Sequence, residues 1–375
     1  MTYFSHGRQD LVHRVAGCCM EDLMMKSSED KKWMGIALGE AAKGIGLTSP
    51  NPPVGAVIVK DGVELARGWH RKSGTNHAEK DALAKLDPGE AVGATVYVTL
   101  EPCSTRGRTG ACADALIDAG VARVVYGARD PNPAHVGGAD QILAKAGIEV
   151  TSGVSEEECW KLIRGFAMVQ KEGRPWVIAK SAMSLDGRIT RPSGEGQWLT
   201  GTEAREQVQL LRGEVDAIIT SGETLRQDDP ALTLRSDKIS RDKGQPWRAV
   251  LTRGEIECGD YQLFTDDHRD RSLLFKSGSL YDVLRTLVEE KKVLMVLLEA
   301  GGGLLGSFAD AGLIDEWVVY LAPIVVGGPK PALGGSGTES LEDRLSLKDV
   351  VIQQVGEDVC ARGIVDREGP RPLQR

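Results

Sequence analysis

Along nearly the whole chain, short runs of β-branched and small apolar residues alternate with segments of helical period. That ordering leaves few folds open, because strand, helix and strand in succession build a sheet whose faces are covered by helices. In the first series, "VGAVIVKDGVELARGWH" reads as two strands about the Asp61-Gly62 turn, a strong hairpin signal. "HAEKDALAKL" returns to helical period. "ATVYVTL" is a buried strand, "CADALIDAG" a helix closed by Gly120, and "VARVVYGA", "GADQILAKAG" and "IEVTSG" give strand, helix and strand. Ahead of them "SSEDKKWMGIALGEAAKGIG" reads as a helix capped by Ser27 or Ser28, with Trp33, Ile36, Ala37 and Ala41 on its apolar face.

A second α/β series runs through "WVIAKSAM", "GTEAREQVQLLRGE", "VDAIITSG", "WRAVLTR", "SLYDVLRTLVEEKK", "VLMVLLEAGG", "LLGSFADAGL" and "IDEWVVYLAPIVVGG". Between the two lies "SEEECWKLIRGFAMVQKEGRP", a charged amphipathic helix ending in Gly-Arg-Pro, expected to connect domains without a core of its own. The expected organisation is an N-terminal extension over 1–28, a first domain over 29–153, a linker helix over 154–174 and a second domain over 175–368. The extension is expected to be disordered, with translation starting near Met20, Met24 or Met25.

Composition narrows the function. The 46 Lys and Arg against 54 Asp and Glu leave a net charge of −8, which argues against a general nucleic-acid binder. No apolar run approaches the ~18–20 residues of a membrane span, and the first residues lack the apolar core and cleavage site of a secretory signal. Seven cysteines without repeated spacing do not make a disulfide framework. A reduced, cytoplasmic protein is expected, in which a close pair of thiols is metal-binding or catalytic.

Cys103 and Cys112 are such a pair. "NHAE" opens a helix, placing His77 at its start and Glu79 two residues on. Cys103 leaves the carboxyl end of a strand, where open α/β sheets place their ligands, and Cys112 opens the next helix. One His and two Cys suit Zn²⁺ in a tetrahedral site with one position left open, the catalytic arrangement. Glu79 is then the proton carrier. The H-x-E…P-C…C order is the signature of zinc nucleobase deaminases, although the usual spacer there is C-x-x-C and here it is eight residues.

With that longer spacer, "SPNPPVGAVIVKDG", "HAE", "TLEPCSTRGRTGAC" and "DPNP" resemble the deaminase half of the bifunctional riboflavin-biosynthesis deaminase/reductase, over roughly residues 30 to 153. The resemblance implies a cytidine-deaminase-like αβα domain with zinc on His77, Cys103 and Cys112, Glu79 as the catalytic group and Asn51 near the pyrimidine. Three departures stand out. Thr105 replaces a His, "TGAC" lacks two prolines usual before the second cysteine, and Ala56 replaces a frequent Cys. Arg106 and Arg108 are candidates to help hold a sugar phosphate.

The second series carries "AKSAMSLDGRIT", "GEGQWLT", "RQDDPALTLR" and "LLEAGGGLLG" in that order. The three glycines before a helix would let backbone N–H groups approach a phosphate, although they do not form the G-x-G-x-x-G fingerprint. The set is similar to the reductase half of the same family, whose fold resembles dihydrofolate reductase, over roughly residues 175 to 365. The resemblance implies NADPH contacts at Ala182, Trp198, Thr224, Asp228 and Gly301, Gly302, Gly303, Leu304, Leu305, Gly306 and Ser307. It implies ribose-phosphate contacts at Lys180, Gly196, Arg212, Leu232, Arg235 and Glu299, with Lys180 and Asp228 bordering the reacting carbon. Forked donors on Arg212 and Arg235 suit a phosphate monoester, and Glu299 can accept from ribose hydroxyls. Gly196 and Gly303 depart from the family's usual residues.

The resemblance thus implies two consecutive steps on a phosphorylated pyrimidine, zinc-dependent deamination and NADPH-dependent reduction, in a homo-oligomer paired through the reductase domain, with no nucleic acid or membrane as partner. Two alternatives stay open: a zinc deaminase of a related nucleotide with a weakened reductase, and a nucleotide sensor without turnover.

Overall fold

The computed structural model describes residues 27–104, 110–133, 135, 137–189 and 198–367. Contacts divide the chain into two units, the first ending at Ala167 and the second starting at Met168.

The first unit comprises α1 (residues 27–42), β1 (Gly55–Lys60), β2 (Val63–Trp69), α2 (Ala78–Leu83), β3 (Thr95–Leu100), α3 (Cys112–Asp118), β4 (Arg123–Ala128), α4 (Gly138–Lys145), β5 (Glu149–Ser152) and the first part of α5 (Glu156–Glu172). The sheet order is β2-β1-β3-β4-β5; β1 runs antiparallel to both neighbours, and β3, β4 and β5 are parallel. Alternation along the strands divides the core. Ile58, Val96 and Val98 pack against Ala78 and Ala82 of α2, Leu116 of α3 and Leu143 of α4. Val57, Val59, Tyr97 and Val125 face the other way, onto Trp33, Met34 and Ala37 of α1. Met34 is fully buried where Ile36 was expected, because Ile36 lies at the margin of the apolar stripe. Ser27 and Ser28 already lie inside α1; the rest of the expected extension, 1–26, lies outside the described residues.

The helix read as a bare connection does have a core on its first half. Cys159 and Ile163 of α5 are fully buried beside α1. A second tie fixes α1 from its start. Asp30 receives a two-bond fork from Arg123 at 2.7 and 2.8 Å and the Tyr97 hydroxyl at 3.0 Å, all buried.

The second unit comprises β6 (Trp176–Ser184), α6 (Thr202–Glu214), β7 (Ala217–Ser221), α7 (Gly222–Asp228), β8 (Trp247–Leu251), the short α8 (Gln262–Thr265), β9 (Ser272–Phe275), α9 (Leu280–Lys291), β10 (Met295–Glu299), α10 (Gly302–Asp310), β11 (Glu316–Ala322), β12 (Leu347–Val355) and β13 (Asp358–Val365). Its sheet order is β12-β13-β11-β6-β10-β7-β8-β9, parallel from β11 to β9 with an antiparallel pair at one edge. Ile178, Ile218, Val250 and Leu297 pack under α6, while Val177, Ala179, Ile219 and Leu298 pack under α9 and α10. Strand β10 inserts between β6 and β7, so the chain direction of winding changes there. Ligands of open α/β sheets bind at such a point, outside the carboxyl ends of the strands.

Candidate functional site

In the first unit, α2 starts beside β2 at very short range. A Cβ on Gly68 would sit 2.4 Å from Ala78 O and Ala82 N, so only glycine allows the two backbones to meet there. This contact sets the depth of His77, the residue that precedes α2, and of Glu79 in its first turn. The loop after β3 brings Cys103, and the first residue of α3 is Cys112.

His77 Nδ1 lies 3.6 Å from Cys103 Sγ and 3.4 Å from Cys112 Sγ. The three ligand atoms fall within 4.8 Å of one another. A tetrahedron with Zn–S and Zn–N bonds of standard length has an S–N edge of roughly 3.6 Å, so the spacing fits a zinc ion held on three corners. The donor set, one imidazole and two sulfurs, fits the same ion. Cys112 donates its backbone N–H to Cys103 Sγ at 3.2 Å. The Cys103 thiol is drawn down to about 4, first by its hydrogen bond with Cys112 and then by His77, and the same bond pushes Cys112 up. The pair therefore loses its first proton readily, as a thiolate ligand must.

Glu79 is 3 % exposed. Burial raises its carboxyl above the usual range, and the charge of Cys103 adds to the rise. This buried carboxyl lies within electrostatic reach of all three ligands, His77, Cys103 and Cys112.

Asn51 joins this site through a residue that sequence reading missed. His70 Nδ1 lies 2.9 Å from the Asn76 carbonyl, which only accepts, so that nitrogen carries the proton. Burial lowers the His70 pKa, so the ring is neutral and Nε2 accepts from Asn51 Nδ2 at 3.0 Å. The amide of Asn51 is thereby oriented. The His70 ring in turn meets His77 edge-on, with centroids 5.3 Å apart. Its only sequence signal was a lone His after a strand. Thr105, Arg106 and Arg108 lie outside the described residues.

In the second unit a cleft of about 1470 Å³ opens at the carboxyl ends of β6, β7 and β10. That exceeds the few hundred to about 1,000 Å³ of a single-ligand pocket, as a site for a dinucleotide and a substrate together requires. It brings together most of the residues singled out from the sequence. Ala182, Trp198, Thr224, Asp228 and Gly301 to Leu305 line it, as do Lys180, Arg212, Leu232, Arg235 and Glu299. Gly301 N–H donates to Thr224 Oγ1 at 3.3 Å, joining the glycine run to α7. Trp198 is 62 % exposed, with the Arg205 guanidinium stacked 4.9 Å from its ring.

Three of the expected contact residues meet the protein itself. Gly306 sits one turn into α10, where a Cβ would lie 2.3 Å from Gly334 C; it packs on backbone and does not line the cleft. Ser307 is exposed on the same helix, and its hydroxyl donates to Gly303 O at 3.1 Å. The Arg212 fork is engaged within the protein: Nε donates to Glu299 Oε1 at 2.6 Å and Nη2 to Oε2 at 3.0 Å, with Nη1 on Thr233 O at 3.3 Å. Arg235 is left as the exposed cation of the pair. Gly196 lies outside the described residues.

Lys180 is half-buried near this ion pair. Desolvation lowers its pKa, Glu299 opposes the fall and Arg212 adds to it. Burial alone would push Glu299 up, but Arg212 reverses this and holds its carboxyl below the usual range. The result is a cluster of charge, Arg212, Glu299 and Lys180, in the lining of the same cleft as the glycine run.

Two family models match the chain. The cytidine and deoxycytidylate deaminase zinc-binding region matches residues 27–128, and the RibD C-terminal domain matches residues 175–361. The riboflavin biosynthesis protein RibD of Escherichia coli is 39% identical over 361 residues, covering 88% of this chain and 98% of its own length. Among solved structures, RibD of Acinetobacter baumannii superposes with a TM-score of 0.84 at 37% identity, covering 91% of this chain and 100% of that one. A diaminohydroxyphosphoribosylaminopyrimidine deaminase/5-amino-6-(5-phosphoribosylamino)uracil reductase of Thermotoga maritima gives 0.80 at 30% identity, with the same coverage of 91% and 100%.

Proposed function

This chain belongs to the RibD family of riboflavin-biosynthesis proteins, and from that membership we propose how its own residues divide two consecutive reactions. The chain is a bifunctional enzyme, a zinc-dependent deaminase followed by an NADPH-dependent reductase. Residues 29–153 form the deaminase, 175–368 the reductase, and the helix over 154–174 connects them. The first site removes an exocyclic amine of 2,5-diamino-6-ribosylamino-4(3H)-pyrimidinone 5′-phosphate as ammonia. The second reduces the ribosyl group of that product to ribityl, giving 5-amino-6-(5-phosphoribitylamino)uracil.

Zinc, when bound, supplies a Lewis acid that lowers the pKa of the attacking water, and NADPH supplies the hydride. His77, Cys103 and Cys112 hold the metal. Glu79 takes the proton of the attacking water and returns it to the departing amine. Asn51, oriented by His70, holds the pyrimidine. In the reductase, Gly301 to Gly303 and Thr224 hold the dinucleotide, and Trp198 gives a flat wall for a ring. Glu299 is kept ionised by Arg212 and receives ribose hydroxyls, Lys180 borders the reacting carbon, and Arg235 takes the phosphate.

The partner on the outer sheet edge is a second copy of the chain. Among the described residues strand β12 has no partner on its outer side, and it exposes Val350, Val351 and Ile352 in succession, the kind of edge that pairs with another strand. The compartment is the cytoplasm. Among the described residues no helix is long and apolar enough to cross a membrane, and the five cysteines among them are free.

The observation that carries the hydrolytic reading is the convergence of one nitrogen and two sulfurs at zinc spacing beside a buried carboxyl. Metal analysis with turnover of the diaminopyrimidinone, with and without NADPH, tests it. One zinc per chain and ammonia release in both conditions are expected, with NADPH consumed when present. A metal-free, fully active enzyme overturns the zinc reading, and ammonia without NADPH consumption overturns the reductase reading.

A further inference from the structure

Residues 229–246 carry no helix or strand, yet part of this run lines the reductase cleft. A segment of that length is held in one shape only if something else satisfies its backbone. Side chains do so here. Arg248, fully buried on β8, donates to Ala231 O at 2.9 Å. Arg235 N–H donates to Gln209 Oε1 at 2.8 Å, and the Ser236 hydroxyl to Glu206 Oε1 at 2.5 Å. Leu232 is held at φ 50, a left-handed conformation that a leucine keeps only when its surroundings impose it.

One tether differs from the rest by gripping the same residue twice. Leu234 N–H donates to Gln245 Oε1 at 2.7 Å, and Gln245 Nε2 donates to Leu234 O at 3.1 Å. Both backbone groups of Leu234 are thus fixed by one amide, which closes the 234–245 loop at its base in the manner of an Ω-loop. Arg271 anchors the amide's own residue by donating to Gln245 O at 2.6 Å. The next residue after Leu234 is Arg235, an exposed cation in the lining of the cleft.

We propose that Gln245 is a positioning residue for the phosphorylated substrate, clamping Leu234 so that Arg235 is aimed at the phosphate. The inference rests on the reading that Arg235 receives that group. The amide itself touches neither substrate nor cofactor; it sets the direction of the neighbouring side chain, and its influence is confined to ligands that carry a phosphate.

The full-length enzyme tests this with the deaminated ribosylaminouracil phosphate and its dephosphorylated form. Gln245→Leu, which removes both hydrogen bonds at nearly constant volume, is expected to raise KM for the phosphorylated substrate about tenfold. The value of kcat, the NADPH Kd read by fluorescence and the KM of the dephosphorylated form should stay within about twofold. Gln245→Glu keeps the acceptor for Leu234 N–H and should lie between. In an Arg235→Gln background, Gln245→Leu should add less than about twofold, because residues acting through one another are not additive. Equal KM rises for both substrates, or an undiminished tenfold effect in that background, overturn the proposal. Arg235→Gln alone separates the two layers. An unchanged KM there overturns the phosphate assignment, whereas a raised KM with an unaffected Gln245→Leu overturns only the positioning role.

Discussion

Gly68→Ala adds one methyl group at the point where β2 touches α2. The new Cβ would lie 2.4 Å from Ala78 O and Ala82 N and 2.9 Å from Asp81 C. These are backbone atoms and cannot rotate aside, and ordinary contact starts near 3.4 Å, so the helix must retreat by about 1 Å. Overpacking of this kind costs about 1–3 kcal/mol. The kinetic effect should exceed the thermal one, because α2 carries Glu79 and follows His77 directly, and a 1 Å misplacement of reacting groups costs about a hundredfold. Ammonia release should therefore fall about a hundredfold with weakened zinc retention. Reductase turnover on the deaminated substrate, in the same chain, should be unchanged and serves as the internal reference. Gly39→Ala is the control, since nothing lies within 4 Å of its Cβ in α1, and it should be neutral or stabilise by up to about 1 kcal/mol. Deaminase activity within twofold of wild type in Gly68→Ala would refute the claim that this close approach sets the catalytic helix.

Three further outcomes follow from other parts of the molecule. Arg123→Met takes the guanidinium fork from the buried Asp30 carboxylate, which keeps the Tyr97 hydroxyl; breaking such a pair costs about 3–5 kcal/mol, so calorimetry should show the deaminase unit melting roughly 10 °C lower while the reductase unit keeps its transition. Glu79→Gln should retain zinc by metal analysis yet lose about 10²–10⁴-fold in ammonia release; loss of the metal would mean that Glu79 helps to hold it. Glu299 is held below its usual value of 4.5, so the stability it contributes is complete above that value and is lost as the pH falls through the lower folded value. The thermal advantage of wild type over Glu299→Gln should be flat from pH 8 to pH 5 and shrink below about 4.5; a gap that is unchanged at pH 3 would contradict the ion pair.

What could be read from the sequence was whatever is local. His77 and Glu79 are two residues apart, and Cys103 and Cys112 flank one loop, so a short stretch of chain nearly defines the metal site. Strands β1, β3, β4, β7 and β10 were legible because they bury both faces and read as continuous apolar runs. The Arg212–Glu299 pair was not, since its partners lie on α6 and β10 and meet only when the sheet assembles. Each was assigned to a ligand because each suits one, and nothing local says that they also pair with each other. His70 was passed over for a similar reason, because its two partners, Asn51 and the Asn76 carbonyl, come from separate loops. The β12–β13 hairpin was missed because most of β12 is exposed and shows no clean alternation of apolar and polar positions. Gly306 and Ser307 were named through the family resemblance and carry no local signal of their own beyond the nearby glycines. Helical rotation turns Gly306 onto the backbone at 334–335 instead.

The most direct test of two sites acting in order uses one variant and two substrates. Given the diaminopyrimidinone ribosyl phosphate and NADPH, wild type should release ammonia and oxidise NADPH in equal amounts. Glu79→Gln should do neither at more than about a hundredth of that rate, yet should oxidise NADPH at the wild-type rate when given the deaminated product. Rapid NADPH oxidation by Glu79→Gln on the diamino substrate, or its failure on the deaminated one, would contradict the assignment of hydrolysis to the zinc site and reduction to the cleft.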